Sequence, residues 1–138
     1  MNFKNKNILV TGGTSGLGRA LALHLSQKGA HVAVVARTKK NIEKLISEHP
    51  ALIGISGDIA KKEDIYPIAG EAHSCLGDID LLFNVASYLG ETPLKLLIDT
   101  ECEDFERVLQ TNLLGPFRLT KALLPSMLLK GQGLIVNI

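Results

Sequence analysis

The chain of 138 residues predicts an α/β protein, a doubly wound parallel sheet with helices on both faces. Three observations predict it. Short aliphatic runs alternate with longer amphipathic stretches along the chain. Several runs, VAVVA, LIGI and GLIVNI among them, are apolar on both faces, as parallel strands covered by helices are. The first run passes directly into a glycine-rich turn, and a helical pattern begins there.

In chain order, strand patterns cover Asn7–Thr11, His31–Ala36, Ala51–Ser56, Asp80–Val85 and Gly133–Ile138. Helical spacing of apolar residues marks Leu17–Lys28, Lys39–Glu48 and Lys61–Cys75. In the first of these Leu17, Leu21, Leu23 and Leu25 mix with alanines, and Gly29 stands where a helix C-terminal glycine belongs. After a loop at Ser87–Thr100, a longer helical segment covers Glu101–Lys130. Thr100 and Glu103 have capping-box spacing and predict its start. Pro116 has no N–H to give the carbonyl of Asn112 and crowds it, so the helix should kink near Asn112–Gly115. That carbonyl then needs another partner, and a bound water is the obvious one. Strand and helix alternate with no linker or repeat, which means right-handed crossovers and one domain over residues 1–138.

Composition narrows the function. Hydrophobic residues make up 46% and aromatics 4%, with no Trp, which does not suit a stacking surface for single-stranded nucleic acid. The formal charge is +1 with no basic or acidic block, so neither nucleic acid nor anionic membrane is expected as a partner. The N-terminus lacks a signal-peptide pattern and no window has the length of a membrane span, which makes the cytoplasm the expected location. Cys75 and Cys102 are expected as buried or half-buried free thiols. His24, His31, His49 and His73 share no metal-ligand spacing, and no metal site is expected.

The chemistry lies first in Thr11-Gly12-Gly13-Thr14-Ser15-Gly16-Leu17-Gly18. Gly12 suits the tight turn out of the strand, Gly16 the approach of a pyrophosphate, and Gly18 close packing of helix on sheet. The helix N-terminus offers N–H groups and partial positive charge to a phosphate. A P-loop fails here, since Arg19 stands where Lys is needed and Ala20 where a hydroxyl is needed. A dinucleotide is the better ligand; a glycine-rich connection without a ligand is the alternative.

The spacing G-x-x-x-G-x-G resembles the glycine motif of the short-chain dehydrogenases/reductases, and later segments match in order. Asp58 in Gly57-Asp58-Ile59 is similar to that family's adenine-contacting acid. Asn84-Val85-Ala86-Ser87 resembles its Asn-Asn-Ala-Gly signature. Asn112-Leu113-Leu114-Gly115 resembles its long-helix motif, and Leu134–Ile138 its fifth strand. The resemblance covers Asn7 to Ile138. It implies a Rossmann-like sheet, truncated here after the fifth strand, with a cofactor site at Gly12, Thr14, Ser15, Gly16, Leu17, Gly18, Arg37, Asp58, Ile59, Asn84, Ala86 and Ser87. Two positions depart from the pattern. Val85 removes an amide that would stitch strands, and Ser87 lacks glycine's backbone freedom, which alters the nicotinamide-side wall.

The second strand indicates which dinucleotide. Units that bind NAD usually end that strand with Asp or Glu, on the adenosine ribose. Here the position is Ala36 and Arg37 follows, so no carboxylate repels a 2′-phosphate and a guanidinium fork is at hand to hold it. NADP is the expected cofactor. Thr14 and Ser15 add hydroxyls, and Lys39 and Lys40 add positive potential.

The resemblance further implies hydride transfer between nicotinamide and a carbonyl or alcohol carbon, with a Tyr and a Lys four residues later moving the proton. Of the family's catalytic set only Asn112 is present, its main-chain carbonyl on a water that links the Lys to solvent. Tyr66 and Tyr88 are followed four residues on by Gly70 and Thr92, so neither makes the pair. The expected reading is an oxidoreductase of small-molecule substrates, homo-oligomeric when full length, represented by its cofactor-binding portion. An apolar fifth strand with neither charge nor Pro to blunt its edge favours a fragment. A non-catalytic NADP-binding sensor or interaction module is the alternative.

Overall fold

The computed structural model describes residues 2–138. Five strands form one sheet: β1 (Asn7–Thr11), β2 (His31–Ala36), β3 (Leu52–Ser56), β4 (Leu81–Asn84) and β5 (Leu134–Asn137). All neighbours are parallel and the order is β3-β2-β1-β4-β5. The expected doubly wound architecture is therefore present.

Helices α1 (Gly16–Gln27) and α2 (Lys39–Glu48) cover one face, where Ala22, Leu25 and Leu45 pack on Ile8, Val10, Val32, Val34 and Phe83. Helix α3 (Ile65–Leu76) and a later helix, α5 (Gly115–Lys130), cover the other. There Ile65, Ile68, Ala72, Leu119 and Leu123 meet Leu9, Ala33, Val35, Ile55 and Leu82. Alternate residues of β1 thus enter opposite clusters, which is why its sequence is apolar throughout. β5 is an edge strand with Leu134 and Asn137 exposed.

The two later helical stretches start differently from expectation. The stretch predicted as Lys61–Cys75 opens with a 3₁₀ turn, Lys62–Asp64, before α3 begins. Pro67 supplies no N–H, so the preceding turn closes with the tighter i→i+3 pattern, and Pro67 falls in the first turn of α3, where no N–H is needed. The expected capping box at Thr100 is absent. Thr100 Oγ1 donates to the Leu96 carbonyl at 3.0 Å, closing a second 3₁₀ turn (Leu97–Asp99), and α4 (Cys102–Leu109) starts after Glu101.

The long segment also divides where the Pro116 argument placed the break. A π turn, Gln110–Leu114, separates α4 from α5, and the Gly115 N–H bonds to the Gln110 carbonyl, one residue further back than in an α-helix. Thr111 Oγ1 donates to the Arg107 carbonyl at 3.1 Å, a second perturbation of the ladder at this point. Cys75 and Cys102 are free thiols, but both are exposed where burial or half-burial was expected. On α3 the buried stripe runs through Ile65, Ile68, Ala69 and Ala72, with Leu76 packed behind it, so Cys75 falls outside it; Cys102 is the first residue of α4. No described helix is long and apolar enough to cross a membrane.

Candidate functional site

The order of the sheet reverses between β1 and β4, so a crevice opens at their carboxyl ends. Thr11 and Asn84 are register partners at that point. Thr11 is fully buried, and its Oγ1 accepts the N–H groups of Val85 and Ala86, each at 3.1 Å. One hydroxyl thus fixes the path of the chain as it leaves β4.

Gly12 turns the chain out of β1 at φ 70°, and a Cβ there would lie 2.8 Å from the Ala86 Cα. Any other residue would be strained and would push β4 away. Gly18 stands where a Cβ would collide with the Gly12 carbonyl oxygen, so α1 rests directly on the turn. At Gly16 the situation is opposite. Its φ is 50° and a Cβ would meet nothing within 4 Å, because the position faces open space. Ser15 precedes α1 in extended conformation without a side-chain cap bond, and the first turn has no acidic residue. The partial positive charge of the helix start is left uncompensated beside that space.

A cleft of about 490 Å³ runs past these residues. Gly12, Thr14, Ser15, Gly16, Leu17 and Gly18 line it together with Arg37, Asp58 and Ile59. Ala86 and Ser87 close it toward a second cleft of about 440 Å³, where Asn84 and Asn112 lie. The two clefts share Ala86, Ser87 and Ile138. All thirteen residues singled out in the sequence therefore line one of two adjoining clefts.

Arg37 is exposed and makes no ion pair among the described residues. Asp58 is the one acid in the wall of the first cleft, and its Oδ1 already accepts the Ala60 N–H at 3.0 Å. Its own N–H donates to Asp64 Oδ2 at 2.8 Å. Thr38 and Asn41 stand beside Arg37 and add polar groups that the motif reading did not include. These features suit an extended dinucleotide with its negatively charged diphosphate at the start of α1.

Asn84 is 2% exposed and donates from Nδ2 to Asn137 Oδ1 at 2.9 Å, joining β4 to β5. Its Oδ1 is buried without a partner, an orphaned acceptor on the second cleft. The side chain of Asn112 grips Tyr88 twice, accepting its N–H at 2.8 Å and donating to its carbonyl at 2.9 Å. The two departures in the fourth-strand signature also find an account. Val85 packs on the α1 side of the core, while Thr11 and Asn137 do the stitching. Ser87 is not in the left-handed region, where Asn5 is the only non-glycine residue among those described, so it needs no glycine freedom.

A parallel sheet with a glycine turn at its switch point defines a Rossmann-like α/β protein. A family model described as short chain dehydrogenase matches residues 6–138. The chain belongs to that family. It is 38% identical over 140 residues to the 3-oxoacyl-(acyl-carrier-protein) reductase FabG of Haemophilus influenzae, covering 98% of this chain and 55% of that protein. It is 35% identical over 147 residues to dehydrogenase/reductase SDR family member 7B of Bos taurus, covering 98% of this chain and 44% of that one. A solved short-chain dehydrogenase from Streptomyces avermitilis superposes with TM-score 0.87 at 33% identity, over 97% of this chain and 48% of its own. The chain thus spans about half the length of the relatives it matches.

Proposed function

We propose that this chain is the cofactor-binding portion of an NADP-dependent oxidoreductase acting on a small carbonyl or alcohol substrate. The observation that carries the cofactor choice is the end of β2, where Ala36 replaces an acid and unpaired Arg37 borders the cleft. A guanidinium there holds a 2′-phosphate by charge-assisted hydrogen bonds, and no carboxylate of β2 repels it.

The bound nicotinamide would supply the ring carbon that gives or takes the hydride. The chain's own residues place it. The uncapped start of α1 and the open backbone at Gly16 take the diphosphate, and Asp58 and Ile59 flank the adenine. Ala86, Ser87 and Asn84 form the wall nearest the second cleft. Asn112 stands in the π turn on that cleft, with Pro116 unable to donate to its carbonyl, and there orders a water for proton relay. The substrate binds in the second cleft.

Oligomerisation of the whole protein fits the surface. An exposed apolar stripe outside the two clefts, made of Phe105, Leu109, Leu124 and Leu128, runs along α4 and α5. A second copy would cover it.

The test is a pair of titrations of the protein with NADPH and NADH. Tighter binding of NADPH supports the reading, and equal affinities would exclude Arg37 as a 2′-phosphate ligand.

A further inference from the structure

Beside the two clefts, a group of charged and aromatic side chains ties the loop after β4 to α4. The Arg107 guanidinium lies over the Tyr88 ring, 5.3 Å from its centre. Arg107 Nη1 is 3.3 Å from Glu91 Oε1 and 3.8 Å from Asp104 Oδ1. The Tyr88 hydroxyl donates to the same Glu91 oxygen at 3.3 Å. The ring of Tyr88 is thus held from α4, while both polar groups of its backbone are held by the Asn112 side chain. Its neighbour Ser87 lines both clefts.

We propose that Arg107 is a positioning residue: by holding the Tyr88 ring it seats Tyr88 on Asn112 and so sets the wall that the two clefts share. This rests on the reading that Asn112 serves the reaction. The loop has little else to anchor it, since Leu89, Leu94, Leu96, Leu97 and Ile98 are all exposed. The ion pair alone holds weakly, because the Arg107 and Glu91 side chains are 61% and 54% exposed. What distinguishes the contact is the planar guanidinium over the ring face, which joins ring, carboxylate and hydroxyl in one cluster.

Amide hydrogen exchange at Tyr88 reads the seat directly, because that N–H is the one donated to Asn112. In the full-length protein, Arg107→Ala is expected to speed exchange at Tyr88 about three- to tenfold, with Ala33 in the core unchanged. Tyr88→Leu should match it, Tyr88→Phe should stay near the parent, and Tyr88→Leu with Arg107→Ala should be no worse than either alone. Turnover of NADPH with a reactive α-diketone should fall by a similar factor in kcat. That kcat is read at saturating NADPH, because Arg107 and Tyr88 line a cavity of about 250 Å³ together with Arg37 and Asp58 of the first cleft. Unchanged exchange at Tyr88 in Arg107→Ala overturns the seat, and faster exchange with unchanged kcat overturns the positioning role. Asn112→Ala keeps the main-chain carbonyl but loses the grip on Tyr88, so it should show the same faster exchange and lower kcat, and an unchanged kcat there overturns the positioning role. A full-length parent protein without NADPH-dependent turnover marks the failure of the underlying reading instead, and the proposal falls with it.

Discussion

Asp80 sits at the start of β4 and joins four parts of the fold. Its Oδ2 accepts the Asn7 N–H at 3.0 Å, and its Oδ1 pairs with Lys130 Nζ at 3.0 Å, at the end of α5. Its backbone N–H donates to the Asn7 carbonyl, and its carbonyl accepts the Leu134 N–H that begins β5. Burial by itself would raise the pKa of this carboxyl. The Asn7 N–H, the Lys130 ammonium and the charge on Lys6 outweigh it and hold the group below its ordinary 3.8. A depressed folded pKa means the stabilisation is fully present above the unfolded value near 3.8, and is lost as pH falls through the folded value. Asp80→Asn keeps an acceptor for Asn7 but removes the charge that Lys130 answers. A hydrogen bond to a charged group contributes about 1.5–3 kcal/mol, and the pair is partly solvated, so a loss of about 1–2 kcal/mol at neutral pH is expected. For a domain of this size that is roughly 3–8 °C in Tm. Urea denaturation of both proteins at pH 7 and at stepped pH below 4 checks it. The difference should shrink as Asp80 of the parent protonates. A difference that stays constant across that range, or is below about 0.5 kcal/mol at pH 7, would refute the reasoning.

Other outcomes follow from the clefts. Arg37→Ala should abolish most of the preference for NADPH, about 10- to 100-fold for one charge-assisted contact, while NADH affinity is unchanged; parallel fluorescence titrations decide it. Gly12→Ala should destabilise the protein by about 1–3 kcal/mol and weaken cofactor binding, because the turn and the Ala86 backbone both resist a Cβ; thermal melts with and without NADPH separate the two effects. The 138-residue chain assayed alone with NADPH and reactive ketones should show no turnover, since neither Tyr66 nor Tyr88 has a lysine four residues on. Activity equal to that of the full-length protein would contradict that assignment.

Much of the fold was legible because periodicity survives burial. β1 and β2 have the bounds read from the sequence, and β3, β4 and β5 lose one residue at one or both ends. The glycine turn was legible for a stronger reason: at Gly12 and Gly18 the backbone itself occupies the space a side chain would need. The interruption of the long helix was legible from Pro116, but its form was not. A π turn depends on where Thr111 and Gly115 send their bonds, and those partners are settled by packing. The capping box at Thr100 failed for a similar reason, because a serine-like hydroxyl serves whichever carbonyl or N–H is nearest, here Leu96. Contacts between residues far apart in sequence left no signal. Asn112 on Tyr88, Asn84 on Asn137 and Thr11 on the start of the loop after β4 each require the sheet to be assembled first.

The central claim is that the crevice at the β1–β4 switch point takes NADP along its whole length, from Arg37 to Ser87. Backbone amide exchange of the protein, with and without saturating NADPH, tests it most directly. The account predicts slowed exchange at residues 14–18, 37–41 and 58–60 and around Ser87, with the apolar stripe on α4 and α5 unaffected. Protection confined to another surface, or absent at residues 14–18 while NADPH is bound, would contradict it.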